Sequence, residues 1–101
     1  MKITVLMSTY NGEKYIREQI DSILQQSMPA DIMIRDDGSS DGTVDIIEEY
    51  ISKGTPVELI KGENVGVIAS FFELIKLHLR QIIMRFPIRT IIGILKRWRR
   101  Q

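Results

Sequence analysis

A chain of 101 residues is one small domain or a piece of a larger one. Its 44% hydrophobic and 27% charged residues are globular values that exclude an intrinsically disordered chain, and the lack of cysteine excludes a disulfide framework, a thiolate metal site and a cysteine nucleophile. The net charge of +1 conceals a switch: residues 1–73 hold six basic and all thirteen acidic residues, and residues 74–101 hold eight basic ones alone.

Residues 3–7 form a short apolar run rich in β-branched side chains, the pattern of a buried strand. The run is too short for a secretory signal, and no stretch of about 18 apolar residues offers a transmembrane helix. Ser8-Thr9-Tyr10-Asn11-Gly12 breaks the strand, and Asn11 suits a helix N-cap. Ile16, Ile20, Ile23 and Leu24 fall at helical spacing within a helix predicted over 13–27, which Ser27-Met28-Pro29 ends.

A second strand, predicted over 32–35, runs into the adjacent carboxylates Asp36 and Asp37. Gly38-Ser39-Ser40-Asp41-Gly42 is a loop by composition, and Ser40 or Asp41 can cap the helix predicted over 42–53. Val44, Ile47 and Ile51 are that helix's expected stripe, with Tyr50 nearby. Gly54-Thr55-Pro56 stops it, residues 57–61 read as a third strand, and Gly62-Glu63-Asn64-Val65-Gly66 reads as a turn. A third helix is predicted over 67–79, with Phe71, Phe72 and Ile75 apolar. Residues 77–86 remain helix-capable until Pro87 interrupts, and Lys96-Arg97-Trp98-Arg99-Arg100 is a basic, tryptophan-bearing end. That end suits a solvated surface helix, or a cationic face for a membrane surface or a nucleic acid. The β-α-β-α-β-α order predicts a Rossmann-like α/β fold with a parallel sheet, followed by an irregular basic helical tail.

In an open α/β sheet, ligands collect beyond the carboxyl ends of strands. The loop after the first strand carries a hydroxyl pair and a tyrosine, and the loop after the second carries an aspartate pair. If those strands are neighbours, the loops converge on one crevice. No glycine-rich dinucleotide fingerprint or Walker-type phosphate loop is present. An aromatic face for stacking and a carboxylate for accepting N–H suit a nucleotide's base better than its phosphates. Adjacent residues at a strand end point to opposite sides, so Asp36 and Asp37 divide the work: one faces the crevice, the other anchors the loop through backbone N–H groups. The bland alternative is that both only cap a turn, since Asp-Gly segments are common turn material.

Ser8-Thr9-Tyr10-Asn11-Gly12, Ile23-Leu24-Gln25-Gln26-Ser27, Asp36-Asp37-Gly38-Ser39-Ser40-Asp41-Gly42-Thr43 and Asn64-Val65-Gly66 resemble, in order and spacing, the start of a family 2 glycosyltransferase. The resemblance implies the N-terminal half of an inverting GT-A fold, and is similar in finer detail to bacterial rhamnosyltransferase-like enzymes of surface-polysaccharide assembly. It implies that Ser8 and Tyr10 contact the base, that Asp37 bonds the base N–H, that Asp36 supports the loop, and that Asn64 and Gly66 lie near the ribose and sugar entrance; by residue type, Ser8 and Thr9 can bond a base or ribose edge. The partners implied are a UDP- or dTDP-linked sugar and a saccharide acceptor, with a membrane surface for the basic tail and no nucleic acid. The expected location is the cytoplasm, at the inner face of the membrane.

The complete family holds a divalent cation, Mn²⁺ or Mg²⁺, through an Asp-x-Asp motif, and uses a later carboxylate as base. This chain has no acidic residue after Glu73, so neither can stand in its expected place. The expected organisation is therefore residues 1–76 as an incomplete nucleotide-sugar-binding part and 77–101 as a basic amphipathic tail, truncated or out of frame. The expected chain is inactive alone, with no catalytic residue assigned. A non-catalytic nucleotide-binding module and a membrane-peripheral interaction protein are the competing readings.

Overall fold

The computed structural model describes residues 3–85; Pro87 and the basic end of the tail lie outside the described residues. Six elements alternate: β1 (Ile3–Thr9), α1 (Ile16–Leu24), β2 (Ala30–Asp36), α2 (Thr43–Ser52), β3 (Val57–Lys61) and α3 (Val67–Arg85). The strands form one parallel sheet in the order β1-β2-β3, as the alternation predicts. Among the described residues, no helix is long and apolar enough to cross a membrane.

The central strand explains the layering. Ile32, Ile34 and Asp36 point to one face, Met33 and Arg35 to the other. On the first face Ile32 and Ile34 join Ile16 and Ile20 of α1, Ile46, Ile47 and Tyr50 of α2, and Val57 of β3 in one buried cluster. On the second face α3 covers β1 and β2 with Leu74 and Ser70, both fully buried. Ile32, Met33 and Ile34 form a continuous apolar run in β2 because both of its faces are covered.

Several boundaries and faces differ from those predicted. The first helix starts at Ile16, not residue 13, because Asn11 is not its cap. Asn11 adopts φ 48°, and its side-chain oxygen accepts the Ser40 N–H at 2.9 Å. The helix is instead entered through Tyr15 and Ile16 N–H groups on the Gly12 carbonyl. In α2 the inward stripe is Thr43, Ile46, Ile47 and Tyr50, while Ile51 is exposed. Two polar ties set this rotation. Asp41 receives the Thr43 N–H and hydroxyl, and the Tyr50 hydroxyl donates to Asp21 at 2.6 Å. In α3 the buried positions are Ser70 and Leu74, so Phe71 and Phe72 face outward. α3 also continues unbroken across residues 76 and 77 to Arg85.

Candidate functional site

The carboxyl ends of the three strands are drawn together by their own ladder. Ser8 pairs with Arg35 and Thr9 with Asp36 in the β1–β2 register. The Asp37 N–H donates to the Thr9 carbonyl at 2.8 Å, and the Gly62 N–H donates to the Asp36 carbonyl at 2.8 Å. The loops after β1, β2 and β3 therefore meet above one edge of the sheet.

Asp36 turns toward the α1–α2 face. Its oxygens accept the Thr9 hydroxyl at 3.0 Å, the Ser39 N–H at 2.8 Å and the Ser39 hydroxyl at 2.6 Å. Ser39 in turn accepts the Asn11 N–H at 2.9 Å, so the first and second loops are stitched at both ends. Asp41 extends the stitching by accepting the Glu13 N–H. The Thr43 hydroxyl, which accepts the Gly12 N–H, also holds the Asp41 carboxyl below its ordinary range.

Asp37 turns toward the α3 face and is 2% exposed. Its Oδ1 accepts the Val65 N–H at 2.9 Å and the Arg35 guanidinium at 2.9 Å; its Oδ2 accepts the Gly66 N–H at 3.1 Å. The Val65 N–H above all, then Arg35 and the Gly66 N–H, hold this carboxyl below its ordinary value of 3.8, against the opposing effect of burial. Asp36 and Asp37 thus face opposite sides, but both anchor loops. Neither carboxylate is left without loop donors. Two strand ends and a third loop supply more donors than one carboxylate can satisfy.

Ser8, Thr9, Asp36, Asp37, Asn64 and Gly66 are all brought to this edge. Gly38, at φ +80°, lies so close to the third loop that a Cβ would stand 3.2 Å from the Asn64 nitrogen. Gly66, at φ +93°, turns the chain into α3 and accepts the Ser70 N–H. Tyr10 is half exposed at the rim. His78 is remote: it lines a groove of about 240 Å³ with Thr4, Asp31, Glu58 and Gln81 at the opposite ends of the strands. Its Nδ1 is buried without a hydrogen-bond partner.

Three residues of the site escaped the sequence reading: Arg35, Gly62 and Ser70. The first had a signal. A basic residue inside a buried strand needs a partner, and Asp37 two positions on shares its side of the chain. Nothing local marks Ser70.

The motifs and the crevice match one known family. The Glycosyl transferase family 2 profile matches residues 4–86. The chain belongs to glycosyl transferase family 2. Among the relatives of this family 2 chain is the poly(ribitol-phosphate) beta-N-acetylglucosaminyltransferase TarS of Staphylococcus aureus, 41% identical over 56 residues, which are 52% of this chain and 10% of that protein. The dTDP-rhamnosyl transferase RfbG of Shigella flexneri is 39% identical over 74 residues, 69% of this chain and 26% of that protein. The crystal structure of S. aureus TarS 1-349 in complex with UDP superposes with a TM-score of 0.56 at 36% identity, covering 63% of this chain and 20% of that one. The fold is thus that of the N-terminal region of TarS, and the chain spans only about a tenth to a quarter of such relatives' length. Among the described residues, no group of three or more His, Asp or Glu side chains could hold a metal ion.

Proposed function

We propose that this chain holds the nucleotide of a UDP- or dTDP-linked sugar, the donor for transfer to a saccharide acceptor in cell-surface polysaccharide synthesis. The observation that carries the reading is the similarity to a structure solved with UDP, over the part of the chain that bears the crevice. The relatives' activities, N-acetylglucosaminyl and dTDP-rhamnosyl transfer, support the two donor classes and the hexosyl or rhamnosyl character of the sugar. A cytoplasmic location at the inner face of the membrane goes with this function.

Each crevice residue has a part in it. The half-exposed Tyr10 ring offers a face on which a base stacks. Asp37 Oδ2 accepts one N–H, and a carboxylate oxygen has room for two, so the base imide N–H donates there. Ser8 lies on the same face beside it, and Thr9, whose hydroxyl is committed to Asp36, supports the edge from behind. Asp36 keeps the 38–41 loop in place, and Asn64 and Gly66 flank the ribose and the sugar entrance.

Glycosyl transfer also needs charge neutralisation at the departing diphosphate and a base at the acceptor hydroxyl. Among the described residues no group of three or more His, Asp or Glu side chains could hold a metal ion, and His78 sits at the far ends of the strands. On this reading the described residues bind the donor, and the chain alone is proposed not to complete transfer. The test is release of nucleoside diphosphate from a panel of UDP- and dTDP-sugars with Mn²⁺ or Mg²⁺, alongside calorimetric titration of the free nucleotides. Binding without turnover is expected. Turnover lost in Asp37→Ala would show that the chain is a complete enzyme, and no heat from any nucleotide would remove the donor reading.

A further inference from the structure

A buried arginine is costly unless its charge is paired and its N–H groups find acceptors. Arg35 is 7% exposed, and its guanidinium meets both conditions. Nη1 donates to Asp37 Oδ1 at 2.9 Å and to Ser70 Oγ at 2.8 Å, and Nη2 donates to the Glu63 carbonyl at 3.3 Å. Ser70 Oγ lies 2.6 Å from Ser8 Oγ. Gly62 completes the cage: a Cβ there would stand 2.3 Å from Nη2 and 2.5 Å from Cζ. The guanidinium occupies the space that any other residue at 62 would fill. One cation thus ties β1, the end of β2, the 62–66 loop and α3 around a single carboxylate.

We propose that Arg35 is a positioning residue for the crevice, fixing the Asp37 carboxylate and the 63–66 backbone in the arrangement that a nucleotide base meets. Its effect on ligand affinity rests on the nucleotide-binding reading; its hold on Asp37 does not. Arg35 acts through Asp37 and need not touch the ligand. The groups facing Asp37 are Arg35 of β2, the Val65 and Gly66 N–H groups of the third loop and, through Arg35, Ser70 of α3. Without Arg35 the two backbone donors remain, but the charge partner is gone and one oxygen loses its second tie. A lysine would return the charge as a point, without the planar fork that reaches Asp37, Ser70 and Glu63 together.

The test uses the full chain with Arg35→Met, Arg35→Lys and Ser70→Ala. One readout is the titration midpoint of the Asp37 carboxyl by ¹³C NMR; the other is UDP affinity by calorimetry. Arg35→Met should move the midpoint upward and weaken UDP binding about tenfold or more, the scale of losing a charged hydrogen-bond partner. Arg35→Lys should recover part of both, and Ser70→Ala should move both in the same direction by less. A purely structural role would lower the melting temperature and leave the midpoint where the parent has it; that result in folded Arg35→Met overturns the proposal. If Arg35→Met does not fold, Ser70→Ala decides, and an unmoved midpoint and affinity there overturn it equally. A parent chain that gives no heat with UDP defeats the nucleotide reading, while the carboxyl titration still decides whether Arg35 positions Asp37.

Discussion

At the scale of single residues, the crevice is a set of carboxylates committed to fixed donors. Asp37 accepts three hydrogen bonds and Asp41 accepts three, and both are held below their ordinary values. A carboxylate with a lowered native pKa contributes stability that is complete above its unfolded value and is lost as the pH falls through its native value. Thermal melts of this chain should therefore be flat from neutral pH down to about pH 5, and fall as the pH passes 3.8 and below. Asp37→Asn should flatten part of that acid limb. For ligand affinity, Asp37→Ala should weaken UDP or dTDP binding by roughly 10- to 100-fold, the scale of losing one charged acceptor. Calorimetric titration against the parent checks it, and equal affinities would remove Asp37 from the base site.

At the scale of elements, periodicity gave the order of strands and helices but not the rotation of the helices. Ile16 and Ile20 are buried as their spacing predicts, since α1 presents only apolar residues to the sheet. In α2 and α3 polar ties override the apolar stripe. Tyr50 turns in toward Asp21 in place of Ile51, and Ser70 turns in toward Ser8 and Arg35 in place of the adjacent phenylalanines. Those ties link residues far apart in sequence, so no local pattern announces them. The loop junction was legible in outline: strand ends, polar loops and a carboxylate pair are local features. The cage around Arg35 was not, because Gly62 matters only through what packs against it. Gly62→Ala should therefore destabilise the chain by roughly 1–3 kcal/mol, an overpacking cost at a buried guanidinium. Leu74→Ala, at a fully buried apolar residue that α3 gives its side of the sheet, should cost roughly 2–5 kcal/mol. Chemical denaturation measures both, and a Gly62→Ala chain as stable as the parent would mean that Arg35 is free to leave its cage.

At the scale of the whole molecule, the described part is a three-stranded sheet with helices on both faces and an outer side of α3 that remains bare. Val67, Ile68, Phe71 and Phe72 are exposed together there, with Ile68 at 75%. Apolar surface of that kind favours association. The chain should sediment as a concentration-dependent mixture, and Ile68→Glu with Phe72→Glu should shift it toward monomer. A monodisperse parent with a sharp cooperative melt would contradict this. The central claim is that one crevice, at the carboxyl ends of β1 and β2, receives a nucleotide. Its most direct measurement is an amide ¹H–¹⁵N spectrum of the full chain titrated with UDP and with dTDP. Shifts should concentrate at residues 8–12, 36–41 and 62–66. Shifts confined to the groove around Thr4, Asp31 and His78, or no shifts at millimolar nucleotide, would contradict it.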